Sequence, residues 1–437
     1  MQLQAKARRL CRRYLLRATR AFPSGVRLGA TVAASFTRMN TRTFVISLAL
    51  VLAGRIAAAQ VLEAPETEPR FYAGPLQLFP AITARDIGID SNVYNDQAPR
   101  EDFTYTISPS LRAVLPIRDA RLTTRGSLDF RFFEKLKDQQ SIDSSLNTEL
   151  DTRNGRVRPF GTAGFVQSHE RGGYDIDARA ASVLTRARLG ARVALTPVTS
   201  LTGWVVREAM TYSPRESVDG VALDEQLDHV TRGAATGLRF DLTPFTSITS
   251  AIEVEKTRFK YTPLRDANSF RFAPVVRFAE GAIIEGEASA GFRDFRPLDA
   301  RLAQYRGFVA RVKLGVTIAR STRAEGEVAR DVEFSYVDRE PLYLLTGGRI
   351  HVAHRIAGPI EAIAIGGRYR LQYQNIAEPS FDGRVEHVTI AGGGIGFIVN
   401  EHLRVTFTTD REQRISTAGV RRDYERRRML GSVSYIP

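Results

Sequence analysis

From residue 79 onward, apolar and polar residues alternate with a period of two. In "FPAITARDIGID" (79–90), Ile82, Ala84, Asp86, Gly88 and Asp90 share one face of an expected strand. Phe79, Ala81, Thr83, Arg85, Ile87 and Ile89 share the other. In "FTYTISPSLRAVLP", Phe103, Tyr105, Ile107, Pro109, Leu111, Ala113 and Leu115 oppose Thr104, Thr106, Ser108, Ser110 and Arg112. In "RLTTRGSLDFRFF", Leu122, Leu128, Phe130 and Phe132 oppose Arg121, Thr123, Arg125, Ser127, Asp129 and Arg131. Ile142, Leu146 and Leu150 alternate with Asp143, Asn147, Glu149 and Asp151. In "IEAIAIGGRYRLQYQ", Ile363, Ile365, Tyr369, Leu371 and Tyr373 oppose Arg368, Arg370, Gln372 and Gln374. Such runs predict strands with one apolar and one polar face, and no 3.6-residue stripe interrupts them after residue 60.

The connections alternate in kind. Eight are tight and rich in Pro, Gly or Asn: 115–120, 152–159, 195–200, 242–247, 279–282, 319–323, 355–360 and 399–403. The near-copies "LTPVTS" and "LTPFTS" suggest a repeated hairpin. Nine others are polar and more variable, for example 91–102, 213–223 and 412–424. Together they imply about 18 antiparallel strands, several longer than the 9–11 residues that cross a bilayer.

A soluble sandwich would bury the apolar face, whereas a transmembrane barrel turns it to lipid and keeps the polar face wet. The strand length, the mixed charge of the polar faces and the aromatics at strand ends favour the barrel. The expected class is therefore all-β, a transmembrane antiparallel up-and-down β-barrel over 79–437. On that reading Arg125, Asp129, Arg131, Asp143, Glu149, Arg368, Arg370 and Gln372 face the lumen. Leu128, Phe130, Phe132, Ile363, Ile365, Tyr369 and Leu371 face lipid.

The first part of the chain has another role. "MNTRTFVISLALVLAGRIAAAQ" has a basic start, a short apolar stretch and Ala57–Ala59 before Gln60, so 39–59 is expected to be a signal peptide. Residues 1–38 read as an upstream extension from a misplaced start codon, and 60–78, Pro-rich and acidic, as a periplasmic tether. This partition alters the charge. The formal net charge of +14 rests on the first 59 residues, which hold eleven of the 62 Lys and Arg and no Asp or Glu. The remainder has 51 basic and 48 acidic residues, a net +3, so charge gives no support to a nucleic-acid partner. The single Cys11 lies in the leader, leaving no thiol chemistry afterwards.

Candidate chemistry is sparse. His351 and His354 fall on opposite faces of a strand, and so do the neighbours Asp228 and His229. "AGGGIGF" at 391–397 precedes no helix and reads as a strand with close neighbours, not a phosphate loop. No catalytic residue, cofactor or metal site is expected.

Pro80, the alternating run to Asp90, and "DSNVY" closing the first strand resemble the putative β-barrel porin 2 family of outer-membrane proteins. The resemblance implies an outer-membrane barrel in contact with outer-membrane lipids and inserted by the barrel-assembly machinery. Such chains commonly end in an aromatic residue that this machinery reads. This sequence departs from that pattern, ending "SVSYIP" with Pro437 last and Tyr435 the nearest aromatic, two residues inward. Family members are often associated with exopolysaccharide or capsule export, so polysaccharide export components are implied partners. The expected function is a water-filled channel serving such export. The alternatives are a structural or adhesive barrel with a blocked lumen, and a barrel enzyme. The loops look too short to cap the lumen.

Overall fold

The computed structural model describes residue 69 and residues 71–436, apart from 153, 280, 281, 320, 377–379, 382 and 418–421. The upstream extension, the signal peptide and the start of the tether lie outside the described residues.

The alternating runs form eighteen strands. They are β1 (Leu76–Asp90), β2 (Asp102–Ile117), β3 (Ala120–Phe133), β4 (Ser141–Thr152), β5 (Val157–Ser168) and β6 (Ser182–Ala194). Next come β7 (Thr199–Tyr212), β8 (His229–Thr243), β9 (Thr246–Phe259), β10 (Ala267–Phe272 and Val275–Phe278), β11 (Ile284–Pro297) and β12 (Tyr305–Ile318). The series ends with β13 (Thr322–Phe334), β14 (Leu342–Ala357), β15 (Ile360–Gln374), β16 (Val385–Ile398), β17 (Leu403–Ser416) and β18 (Tyr424–Tyr435). Each strand pairs antiparallel with its sequence neighbours. β1 pairs with β18 from Ile82↔Tyr435 to Asp90↔Arg428, which closes the barrel and leaves no edge.

All eight tight turns lie at one end of the barrel and the nine longer loops at the other. Short turns mark the periplasmic end of such barrels. The outward faces are exposed and apolar, as at Leu111, Leu146, Val205, Val254 and Phe407. Between turns of opposite lengths the strands run 12–16 residues, with β10 interrupted at 273–274.

Two boundaries differ from expectation. The wall begins at Leu76 instead of Phe79, and Phe71–Ala73 folds back to pair with Leu76–Leu78. Within β1 the alternation is broken: the register with β18 shifts between Ala84 and Ile87, and Asp86 has φ 56°. Two residues, Arg85 and Asp86, stand where a regular strand has one, a β-bulge. Ile82 therefore faces outward before the bulge and Ile89 after it, although six residues of even and odd position separate their expected faces. Asp90 thereby points inward, where Arg426 binds it.

Candidate functional site

The connection between β5 and β6, residues 169–181, reaches widely separated parts of the wall and therefore lies inside the barrel. Near its start, the His169 ring and backbone N–H both meet Asp143 on β4, at 2.7 and 2.8 Å. Glu170 pairs with Arg131 on β3. Arg171 donates to the Val93 carbonyl at 2.6 Å. Tyr174 stacks on Tyr369 of β15 with ring centroids 4.2 Å apart. Asp175 accepts from the Tyr373 hydroxyl at 2.7 Å, and Asp177 accepts from Asn95 at 2.6 Å and Arg414 at 2.7 Å.

This anchorage is buried and densely charged. Asp175 is 1% exposed and Arg414 also 1%. Arg414 donates to the Tyr174 carbonyl at 2.7 Å and pairs with Glu386. Around it Arg426 binds Asp90, Arg428 binds Asp410 at 2.9 Å, and the Tyr424 hydroxyl donates to Glu412 at 2.6 Å. Asp90, Asp177, Glu386 and Asp410 are each matched by an arginine, the condition under which burial is tolerable, while Asp175 and Glu412 accept from tyrosine hydroxyls.

On the other side of the segment lies a cavity of about 1010 Å³, lined by β4–β13 and by Gly172, Gly173, Asp175 and Ile176. Eight arginines and eight Asp or Glu residues line it. Several pair across the wall: Arg293 reaches Asp331 at 2.6 Å, Arg271 reaches Asp331 at 2.7 Å, and Arg277 reaches Glu287 at 3.2 Å. Arg188 lies over the Trp204 ring at 4.0 Å, and Arg192 over Phe160 at 4.8 Å.

The residues singled out from the alternation fall as follows. Arg125, Asp129 and Arg131 lie on the interior face of β3. There Asp129 takes a hydrogen bond from Arg85 at 2.9 Å. Asp143 and Glu149 lie on the interior face of β4, and Glu149 lines the cavity. Leu128, Phe130 and Phe132 lie on the opposite, outward face of β3, with Leu128 44% exposed and Phe132 stacked on Tyr105.

On β15 the assignment is reversed. Ile363, Ile365, Tyr369 and Leu371 face the interior: Tyr369 and Leu371 are buried with Tyr343, Val388 and Ile390, and Tyr174 packs on them. Arg368, Arg370 and Gln372 lie on the outward face, and both arginines are exposed. The cause is the inserted segment. It gives this part of the lumen an apolar, aromatic surface, so the apolar face of β15 packs inward.

The remaining candidates behave as separate groups. The Asp228 carboxylate accepts from the Tyr212 N–H at 2.7 Å, and burial raises its pKa. The His229 ring is bonded to the Leu227 carbonyl at 2.7 Å. His354 meets Thr322 at 2.7 Å, on the face of β14 opposite His351. At Gly394 an added Cβ would strike the Phe407 carbonyl, so these glycines admit close approach of β17. Among the described residues no group of three His, Cys, Asp or Glu is placed to hold a metal. Asn92 serves its turn: its side chain donates to the Asp96 carbonyl at 2.7 Å and accepts from the Asp96 N–H at 3.0 Å.

The inward segment and its anchors escaped the sequence reading. "HERGGYDIDARA" offered a signal in its paired glycines and its alternation of Asp with Ile. "REQR" and "YERRRM" offered another, because each sets charged residues two apart, Glu412 with Arg414 and Arg426 with Arg428, on one face of a strand.

A closed eighteen-stranded barrel with an apolar exterior and a charged interior is an outer-membrane protein. The chain belongs to the putative β-barrel porin 2 family, whose model matches residues 71–435. No curated protein sequence matches it. Among solved structures it is similar to the outer membrane protein OpdK of Pseudomonas aeruginosa. The identity is 9% and the TM-score 0.44, over 82% of this chain and 98% of that one. OpdO of Pseudomonas aeruginosa matches at 10% identity and TM-score 0.44, over 82% and 96% of the two chains. A bacterial polysaccharide outer membrane secretin matches at 8% identity and TM-score 0.32, over 82% and 98%. The family assignment rests on the 71–435 match and not on these distant likenesses.

Proposed function

We propose that this barrel is a passive channel for small hydrophilic solutes, narrowed by residues 169–181, with weak preference between anions and cations. The observation that carries the reading is the charged cavity of about 1010 Å³ beside the inward segment. Eighteen strands enclose more space than side chains alone fill, and balanced arginines and carboxylates keep that space wetted. The outward position of the apolar faces leaves these charges no other solvent.

Export of an extruded polysaccharide, the use associated with the family, is the more demanding reading. A chain of sugars needs the 169–181 segment to leave the lumen. The ion pairs of Asp177 with Arg414, and of Glu170 with Arg131, oppose that movement. Passage of small solutes needs no such movement.

The test is single-channel recording of the purified full chain in planar bilayers. Discrete conductance steps are expected without any activating partner. A barrel that inserts, shows the heat-dependent gel shift of a folded barrel and stays electrically silent would overturn the channel reading in favour of a blocked, structural barrel.

A further inference from the structure

We propose that the outer surface of β7–β9 carries a binding site for a phosphate-bearing lipid headgroup of the outer leaflet, formed by Arg207, Arg232 and Lys256. Arg207 lies directly across the ladder from Arg232, and Arg232 directly across from Lys256. The same row continues through Asn268 on β10 to Arg296 on β11. Like charges directly opposite one another destabilise a sheet, and here three stand in one row on consecutive strands. All three are exposed, and no described residue forms an ion pair with any of them. The outward carboxylate of Asp294 on β11 is already engaged by Arg296 and by Arg306. The protein supplies the positive charge of this row and leaves its counter-charge to something outside.

Position identifies that counter-charge. One step towards the periplasmic turns, the row below is Val205, Ala234 and Val254, partnered in the same order. Below that come Leu201, Leu238 and Ile252, all exposed on the same face. This is the lipid-facing band. Arg232 stands eight residues from Phe240, an outward residue near the periplasmic end of β8, with exposed Leu242 the next outward residue beyond it. At a rise of ~3.4 Å per residue and a tilt of ~40°, that is roughly 20 Å along the membrane normal. The apolar band of such barrels is ~25 Å tall, and long basic side chains reach upward to its rim. The row therefore meets the headgroups of the leaflet on the long-loop side.

Two guanidinium groups and an ammonium, side by side, suit a headgroup with more than one phosphate, because each guanidinium can hold two phosphate oxygens. Exposed Arg368 and Arg370 on β15 stand at the same end of the barrel, with Arg370 opposite His387. By contrast, the outward faces of β2–β4 carry no Lys or Arg. The cationic surface is thus confined to part of the circumference, and a headgroup would bind at chosen places around the barrel.

The proposal rests on the outer-membrane placement of the barrel and not on conduction through its lumen. The full chain is reconstituted into phosphatidylcholine nanodiscs. These contain a few per cent of either a disaccharide lipid bearing two phosphates or the same lipid dephosphorylated. Bound lipid is counted by native mass spectrometry. Wild type is expected to retain the phosphorylated lipid and not its dephosphorylated form. Each cation lost should weaken retention about fivefold, so Arg232→Gln alone gives about fivefold. The triple Gln variant at positions 207, 232 and 256 gives on the order of a hundredfold. Arg232→Lys, which keeps the charge, should lose less than Arg232→Gln.

The single variant decides the matter if the triple variant fails to fold. Equal retention of both lipids by wild type, or unchanged retention by Arg232→Gln, would overturn the proposal. So would displacement of the lipid by millimolar inorganic pyrophosphate, which would make the row a site for soluble anions. A wild-type barrel that is electrically silent but retains the phosphorylated lipid would sink the channel reading and leave this one standing.

Discussion

Leu111 on β2 and Phe132 on β3 both face outward, yet they stand at different heights. Leu111 is six residues from the periplasmic end of its strand, and Phe132 is next to last at the loop end, stacked on Tyr105 at 4.8 Å. A charge placed on the lipid face costs most at mid-bilayer and little at the interfaces. Leu111→Arg is therefore expected to destabilise the barrel by ~2–4 kcal/mol and Phe132→Arg by ~0–1 kcal/mol. Equilibrium unfolding in lipid vesicles measures both, and equal costs would mean that the apolar band is not where the exposed side chains place it. Neighbouring positions on β4 give a second check on which face is which. A cysteine at Leu146 should be quenched by a lipid-borne probe, whereas one at Glu149, which lines the cavity, should react with water-soluble reagents. The reverse labelling would invert β4.

The inward segment and the closing seam are the elements on which the barrel's behaviour turns. Arg414 is buried between Asp177 and Glu386. Breaking a buried ion pair typically costs ~3–5 kcal/mol. Arg414→Met removes the charge shared by two buried carboxylates but leaves Glu386 to Arg384 and Asp177 to Asn95 and Arg171, and these remaining partners put its expected cost at or below the lower end of that range. Its first effect should be release of residues 169–181. Larger conductance steps than wild type are expected, with unfolding at lower denaturant. Unchanged steps would show that the segment stays in place without this anchor. At the seam, Gly88 has φ 155°, and a Cβ there would strike the Met429 carbonyl of β18. Gly88→Ala should cost ~1–3 kcal/mol, as overpacking does, and should open the β1–β18 closure first. Faster amide exchange at Gly88–Asp90 than in β7–β8 would register it, and uniform exchange along the wall would contradict it. The eight turns and the strand count were legible because Pro, Gly and Asn punctuate a period-two pattern. The period of β3 carries over directly because its apolar face turns outward and no interior element covers it, leaving Leu128 exposed. On β15 the same pattern misled, since Tyr369 and Leu371 are buried by Tyr174, more than 190 residues away in sequence. The β1 bulge was equally hidden, because its strain is held by pairing with β18 at the other end of the chain.

At the scale of the whole molecule, the wall divides into two sectors. From β14 through β18 to β3 the interior is filled by the 169–181 segment and its ion pairs, and Ile176 and Ala180 of the segment also pack against Tyr212 of β7, Phe259 of β9 and Leu223 and Leu227 of the 213–228 connection. From β4 to β13 it is lined by the cavity. On the proposed channel reading, solute passes through the cavity, and the charges that line it set selectivity. Eight arginines against eight Asp or Glu residues predict a permeability ratio of anion to cation near one. That balance is made by opposing groups and not by neutrality, so removing one sign should reveal the other. Glu253→Gln with Glu255→Gln should shift the reversal potential towards anions. Arg186→Gln with Arg188→Gln should shift it towards cations by a comparable amount. Both shifts should be largest in dilute salt. The screening length is about 10 Å at 0.1 M and about 3 Å at 1 M, so at 1 M the fixed charges are felt only by ions almost touching them. Reversal potentials recorded across a salt gradient at both ionic strengths test this. A wild type strongly selective for one sign, or variants whose shifts persist undiminished at 1 M, would mean that a narrower charged constriction governs permeation instead of the mixed lining of β4–β13.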